Sequence, residues 1–139
     1  MRLDHSIDVG GRPPDVYAFV ADPSNLPLWQ GAVDSVEWEG GEAAAGDRFR
    51  EVRTFMGRRV HSSVEVTAAD PPREFTVSAS AGPVDVVARH LLEAEGEGTR
   101  VRVEVEAQRV PRLMAGMAAR AARRQAEEDL ARLKRVLEE

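Results

Sequence analysis

Three ionisable side chains share the period-two phase of apolar residues. In a strand, that phase would point them toward the core. Glu51 shares the period-two phase of Phe49 and Phe55, and Arg53 has the same phase. If that face is concave, a carboxylate and a guanidinium enter the interior. There they can orient a polar ligand, or Glu51 can act as a base whose pKa is raised by burial. The alternative is an edge strand whose phase is broken by a bulge, and the sequence leaves both interpretations open.

His90 is the third such residue, and its apolar partners in phase are Val84, Val86, Ala88 and Leu92. A neutral imidazole facing the interior can polarise a carbonyl group or shuttle a proton. A hydrogen-bonded core histidine, with no chemical role, explains the same pattern. The weak catalytic candidates are therefore Glu51, His90 and Arg53.

Several kinds of chemistry are excluded or receive no support. The chain has no cysteine, which excludes disulfides, thiolate zinc sites and cysteine nucleophiles. Its three histidines lack the spacing of a metal site, and neither a phosphate-binding glycine loop nor a Ser-His-Asp arrangement can be recognised. We expect neither a metal nor a cofactor.

The composition is that of one globular domain covering residues 1–139, with 42% hydrophobic and 31% charged residues. A net charge of −5 argues against nucleic acid as a partner. No signal peptide and no apolar stretch of about 18 residues is recognisable, so we expect a cytoplasmic protein without integral membrane association.

One local cluster departs from this acidic balance, namely Arg120, Arg123 and Arg124. Such a cluster can touch anionic lipid or RNA. The acids that follow it, at 127–129, favour instead a solvated helix face with balanced charge.

The order of elements predicts an α+β fold. A first strand over 4–9 is followed by two short helices, the first opened by Pro13-Pro14 and stopped at Asp22-Pro23. Residues 33–108 read as about six strands separated by glycine and proline turns. A long amphipathic helix then runs from Pro111 to about Leu137.

Five local motifs resemble those of the START-like (SRPBCC) superfamily, and especially of its polyketide cyclase/dehydrase-like branch. Residues 13–29 (PPDVYAFVADPSNLPLW) resemble the opening of that family. The turns at 46–49 (GDRF), 70–75 (DPPREF) and 98–101 (GTRV) are similar to its turns, and 131–138 is similar to its closing helix. The resemblance covers essentially the whole chain. All five motifs are structural, so they imply a pocket without specifying a reaction.

The resemblance implies a helix-grip fold, in which a curved antiparallel sheet of about seven strands wraps around the C-terminal helix. The ligand pocket of this fold lies between the concave face and that helix. We expect it at the helix start, where methionine adapts to apolar ligands of varied shape. The expected ligand-binding residues are Trp29, Phe49, Phe55, Val86, Met114, Met117, Ala118 and Ala121.

Three functions remain open. The first is binding of a small hydrophobic or aromatic molecule, polyketide-like or lipid-like, by a monomer or homodimer. The second is a polyketide cyclase or dehydratase that uses acid and base groups of the pocket. The third is a non-catalytic protein-interaction module, which would have a closed interior.

Overall fold

A computed structural model describes residues 1–80 and 82–139 in full. It confirms the α+β fold. The strands are β1 (Arg2–Val9), β2 (Val33–Glu37), β3 (Arg48–Phe55), β4 (Arg58–Asp70), β5 (Glu74–Ala81), β6 (Val84–Glu95) and β7 (Gly98–Gln108). The helices are α1 (Pro13–Val20), a 3₁₀ turn (Pro23–Asn25), α2 (Leu26–Trp29) and α3 (Ala115–Glu138).

All seven strands form one antiparallel sheet in the order β1-β7-β6-β5-β4-β3-β2. The chain begins on one edge, and α1 and α2 carry it across to the other edge. It then returns strand by strand through hairpins until β7 pairs with β1. That return path is why the turn motifs of the sequence are so regularly spaced.

Asp22 fixes the end of α1, as the Asp22-Pro23 pair predicts. Its Oδ1 accepts a hydrogen bond from the Ser24 amide at 3.0 Å, and its Oδ2 accepts one from the Gly41 amide at 3.0 Å. One carboxylate therefore caps the 3₁₀ turn and ties it to the loop between β2 and β3.

The α3 helix lies along β1 and runs in the same direction. The Glu127 carboxylate is 3.8 Å from His5 Nε2, and the Glu138 carboxylate accepts a 3.3 Å hydrogen bond from the Gly10 amide. Its buried stripe includes Leu130 and Leu133, which pack into the sheet core. This is the helix-grip arrangement that the motifs imply.

The helix begins at Ala115 rather than at Pro111, one turn later than the sequence predicts. Residues 111–114 form a turn instead, closed by a 3.0 Å hydrogen bond from the Met114 amide to the Pro111 carbonyl. A proline disfavours helical geometry in the residue before it, and Arg109 adopts a left-handed φ of 63°. The chain thus reverses direction before the helix starts.

Candidate functional site

The concave face of the three central strands β4, β5 and β6 is less buried at one end than at the other. In β6, His90 and Leu92 are each 4% exposed, whereas Val84, Val86 and Ala88 are half-buried. The same change occurs along β5, from buried Phe75 to half-buried Val77 and Ala79, and along β4, from buried Val64 to half-buried Ser62 and Val60.

These strands are central, so their backbone is paired on both sides. Only a difference in what covers the concave face explains the change in exposure. We call the end covered by α1, α2 and the C-terminal half of α3 the closed end. The open end carries the β3–β4 turn (Met56-Gly57), the β5–β6 turn (Gly82-Pro83) and residues 109–114.

Solvent therefore reaches the concave face beneath the N-terminal half of α3, in a space that we call the groove. At the adjoining β1–β7 edge, an open cleft of about 660 Å³ is lined by Ala107, Ala115 and Ala119 together with Arg2, Gln108 and Arg109. Valine and alanine occupy the half-buried concave positions of β5 and β6, and these are small apolar side chains.

Polar groups gather on the concave side of β3. Glu51 is 6% exposed, and its carboxylate accepts a 2.6 Å hydrogen bond from Arg53 Nε. Arg53 Nη2 also donates to the Gln30 side-chain oxygen at 3.1 Å. Among the described residues, Arg53 Nη1 has no hydrogen-bond partner, so the guanidinium keeps a donor for a ligand.

The β3 strand is not an edge, which settles the alternative left open by the sequence. Its pairing with β4 runs without a break from Arg48 opposite Glu65 to Phe55 opposite Arg58. The irregularity lies instead in β2, between Val33 and Ser35. The phase of Phe49 therefore carries Glu51 and Arg53 into the interior.

Asp129 on α3 is a second buried carboxylate, in addition to Glu51. It is 8% exposed, and its Oδ1 accepts hydrogen bonds from the Gly31 amide at 3.0 Å and from Gln125 Nε2 at 2.8 Å. Burial raises the pKa of the Asp129 carboxyl above its ordinary value, and the Gln125 and Gly31 hydrogen bonds limit the rise.

At the closed end, four aromatic rings pack in sequence. The ring centroids are 6.3 Å apart for Tyr17–Phe75, 6.0 Å for Phe75–His90 and 6.0 Å for His90–Trp29. Burial raises the pKa of Tyr17 to about 12, so its hydroxyl stays protonated. The Tyr17 hydroxyl and Trp29 Nε1 are buried donors without a partner among the described residues.

His90 Nδ1 lies 2.8 Å from the Phe75 carbonyl oxygen. Because a carbonyl only accepts, Nδ1 carries the proton and Nε2 is left as an acceptor. Burial lowers the pKa of His90, which keeps the ring neutral at neutral pH, although the Phe75 hydrogen bond opposes the shift. The histidine is thus built into the core, with one nitrogen that can still accept a proton.

The other predicted residues divide between core, groove and surface. Trp29 and Phe49 are buried at the closed end, at 2% and 4% exposure, while Phe55 and Val86 are half-buried at the open end. On α3, Ala118 is buried and Ala121 half-buried, so both face the sheet.

Met114 and Met117 differ from the expectation, since they are 47% and 60% exposed. Each residue of an α-helix is rotated by about 100° from the previous one, and Ala118 already occupies the inward position. Met117 therefore points away from the groove, and Met114 lies at the turn that precedes it.

Gln30, Gln125 and Asp129 are not among the site residues predicted from the sequence. Asp129 lies three residues after Ala126 and four before Leu133, so the helical period alone places it on the inward stripe. However, Asp129 ends a run of three acidic residues, and such a run favours a solvent-exposed position. Gln30 follows Trp29 at the end of a short helix, and no sequence pattern points to it.

The described residues lack two further features. They contain no cluster of His, Asp or Glu that could hold a metal ion. None of their helices combines the length and the apolar character needed to cross a membrane.

The sheet, the long helix and the groove between them define a helix-grip protein of the START-like class. The family model described as "Polyketide cyclase / dehydrase and lipid transport" matches residues 1–138. The chain belongs to this family.

Solved structures support the fold. A START superfamily protein from Mycobacterium smegmatis is 13% identical with a TM-score of 0.77, and the match covers 97% of this chain and 98% of that one. A protein from Rhodobacter sphaeroides is 23% identical with a TM-score of 0.76, over 98% of this chain and 91% of that one. No curated protein sequence matches the chain.

A third structure is DynU16, a protein from the dynemicin biosynthetic locus. It is 20% identical with a TM-score of 0.68, over 99% of this chain and 47% of that longer chain. Identities this low establish the fold that these proteins share and leave the ligand undefined.

Proposed function

We propose that the protein binds a small hydrophobic or aromatic molecule in the groove, with an oxygen-bearing group of that molecule at Arg53. The observation that carries the proposal is the loss of burial along the concave face of β4, β5 and β6 toward the open end. Protein interiors are close-packed, so in a protein without a ligand we expect other side chains to cover a sheet face lined by valine and alanine. The family's connection with polyketides and lipid transport supports the same chemical class.

The polar groups beside the groove define what the ligand carries. The Arg53 guanidinium keeps Nη1 free while Glu51 and Gln30 hold its other nitrogens. A guanidinium donates and never accepts, so it selects a carbonyl, carboxylate or sulfonate oxygen. A ligand with an apolar ring system and an acceptor oxygen at one end fits this arrangement.

Two adjacent valines test where the ligand binds. Val86 faces the groove, whereas Val87 is 39% exposed on the outer face of the same strand. The probe is anilinonaphthalene sulfonate, whose emission rises in apolar sites. Val86→Trp fills the groove and should weaken binding by about tenfold or more, whereas Val87→Trp should leave it unchanged. Equal binding by both variants would place the ligand elsewhere.

A paired substitution tests the polar contact. Removing Arg53 alone would leave Glu51 buried and unpaired, so Glu51→Gln and Arg53→Gln are combined. The double variant should lose about tenfold in affinity for the sulfonate probe but none for the uncharged N-phenylnaphthylamine. An equal loss for both probes would assign the pair a structural role only.

The second candidate function is acid–base catalysis of a cyclisation or dehydration on the bound molecule. The observation that favours it is the Nδ1–Phe75 hydrogen bond, which leaves Nε2 of His90 able to accept a proton. The ring is buried at the closed end, so this function requires the ligand to extend from the groove to His90. The test compares His90→Gln with the parent protein on a poly-β-ketone thioester. A base predicts unchanged binding with loss of product, whereas a core histidine predicts that the variant changes only stability.

A further inference from the structure

An exposed apolar cluster lies at the start of α3, outside the groove. Leu113 is 99% exposed, Met117 60% and Met114 47%. Single large apolar side chains are common on protein surfaces. Three within five residues form an apolar patch, and such patches mark interaction sites.

Arginines surround this patch. Met117, Arg120 and Arg124 follow the helical spacing of three and four residues, so they form one stripe on the side of the helix opposite the buried Leu133. We call Leu113, Met114, Met117, Arg120 and Arg124 the amphipathic surface.

The local charge opposes that of the rest of the chain. Residues 107–126 contain five arginines and no acid, a charge of +5, in a chain of net charge −5. The remainder therefore carries −5 minus +5, or −10. Arg109 forms an ion pair with Asp85, while the side chains of Arg112, Arg120, Arg123 and Arg124 have no acidic partner among the described residues.

One of the three acids that follow this cluster turns away from it. Asp129 is 8% exposed, whereas Glu127, 3.8 Å from His5 on β1, and Glu128 both remain exposed. The arginines are exposed too, as expected for a solvated helix face. Three arginines against two exposed glutamates leave this run with one excess positive charge.

We propose that the amphipathic surface docks peripherally on an anionic phospholipid bilayer. Leucine and methionine partition into the boundary between headgroups and acyl chains, and arginines beside them pair with lipid phosphates. Nucleic acid would bind the arginines through its phosphates, but it would not bury the apolar side chains of Leu113 and Met117. Docking would bring the open end of the groove to the bilayer, so that an apolar molecule could enter without crossing water.

The test is co-sedimentation of the full chain with vesicles. Vesicles of phosphatidylcholine alone are compared with an equal mixture of phosphatidylcholine and phosphatidylglycerol. The protein should sediment with the mixed vesicles and much less with the neutral ones, and added salt should weaken the binding. Failure to bind the mixed vesicles, or binding to single-stranded RNA without binding to vesicles, would overturn the proposal.

Matched variants separate the two contributions. Arg120→Gln with Arg124→Gln should weaken binding to mixed vesicles about thirtyfold, and Leu113→Ser with Met117→Ser about tenfold or more. The controls are Arg50→Gln with Arg135→Gln, and Leu28→Ser, at a leucine that is 53% exposed and lies outside the amphipathic surface. Equal losses in the controls would contradict the assignment. The proposal does not rest on ligand binding, since vesicle binding and probe binding are measured separately.

Discussion

The closed and open ends of this sheet are built from the same strands, yet they are covered differently. At the closed end, α1, α2 and the leucines of α3 bury the aromatic cluster of Tyr17, Phe75, His90 and Trp29. At the open end, α3 offers only alanines to the sheet and turns its large apolar side chains outward. Stability is thus concentrated at one end, and the other is left free for binding. Paired substitutions at the two ends can test this division.

The largest contrast is expected from one substitution made near the C-terminal end of α3 and in the turn that precedes the helix. Leu133 is 0% exposed, whereas Leu113 is 99% exposed. Leu133→Ala should lower the free energy of unfolding by about 3 kcal/mol because it removes contacts and leaves a cavity. Leu113→Ala should change it by less than about 0.5 kcal/mol. Urea denaturation of both variants measures the difference, and similar losses would contradict the division.

Two glycines give the next contrast. A Cβ on Gly98 would collide with the backbone carbonyl of Val9, whereas one on Gly116 would meet nothing within 4 Å. Gly98→Ala should therefore destabilise the protein by about 2 kcal/mol. Gly116→Ala lies within a helix and should stabilise it by up to about 1 kcal/mol.

Thermal unfolding of the two alanine variants is the measurement. Opposite signs are expected. Stabilisation by Gly98→Ala would show that the β1–β7 edge can move apart at the closed end, which the packing described above does not allow.

His90 makes the closed end sensitive to pH. Its folded pKa is lowered, so the unfolded chain takes up a proton first as the pH falls below about 6.5. Stability should then decrease toward pH 5, and His90→Gln should remove part of that decrease. Melting temperatures across this range test the effect, with the exposed His61→Gln as the control. Identical slopes for the His90 variant and the parent would count against it.

The smallest effect is expected at Asp129, in the C-terminal half of α3. Its folded pKa is raised by burial, so the ionised form destabilises the folded state at neutral pH. Asp129→Asn keeps an oxygen that can accept from Gly31 and Gln125, and it should slightly raise the melting temperature at pH 7. The advantage should vanish below about pH 4, where the carboxyl is protonated in both states. A loss of stability at pH 7 would show that the negative charge of Asp129 stabilises the fold through Arg53 or Arg132.

Much of the fold can be predicted from the sequence because its turns are local. Asp22-Pro23 ends α1, and the strict alternation around His90 places that ring in the core as the phase predicts. The phase of Phe49 also brings Glu51 and Arg53 inward. In each of these cases, neighbouring residues contain the information.

The rest depends on contacts that are distant in sequence. Asp129 is buried because Gly31 offers it an amide from a loop 98 residues away. Met117 faces outward because Ala118 takes the inward position of the helix, and Met114 lies in the turn that precedes α3. Local patterns therefore predict elements and their phases, whereas the covering of the groove follows from tertiary packing.

The sheet order has a consequence for synthesis on the ribosome. Strands β2 to β7 can pair in the order in which they emerge, each with the strand just made. The β1 strand cannot, because its partner Glu106 follows Arg2 by more than a hundred residues. Within this domain β1 is made before the other strands yet is among the last to be paired, and closing that long loop carries an entropic cost that the hairpins avoid. The β1 strand therefore stays unpaired until β7 is made, so the β1–β7 edge forms after the other strand pairs.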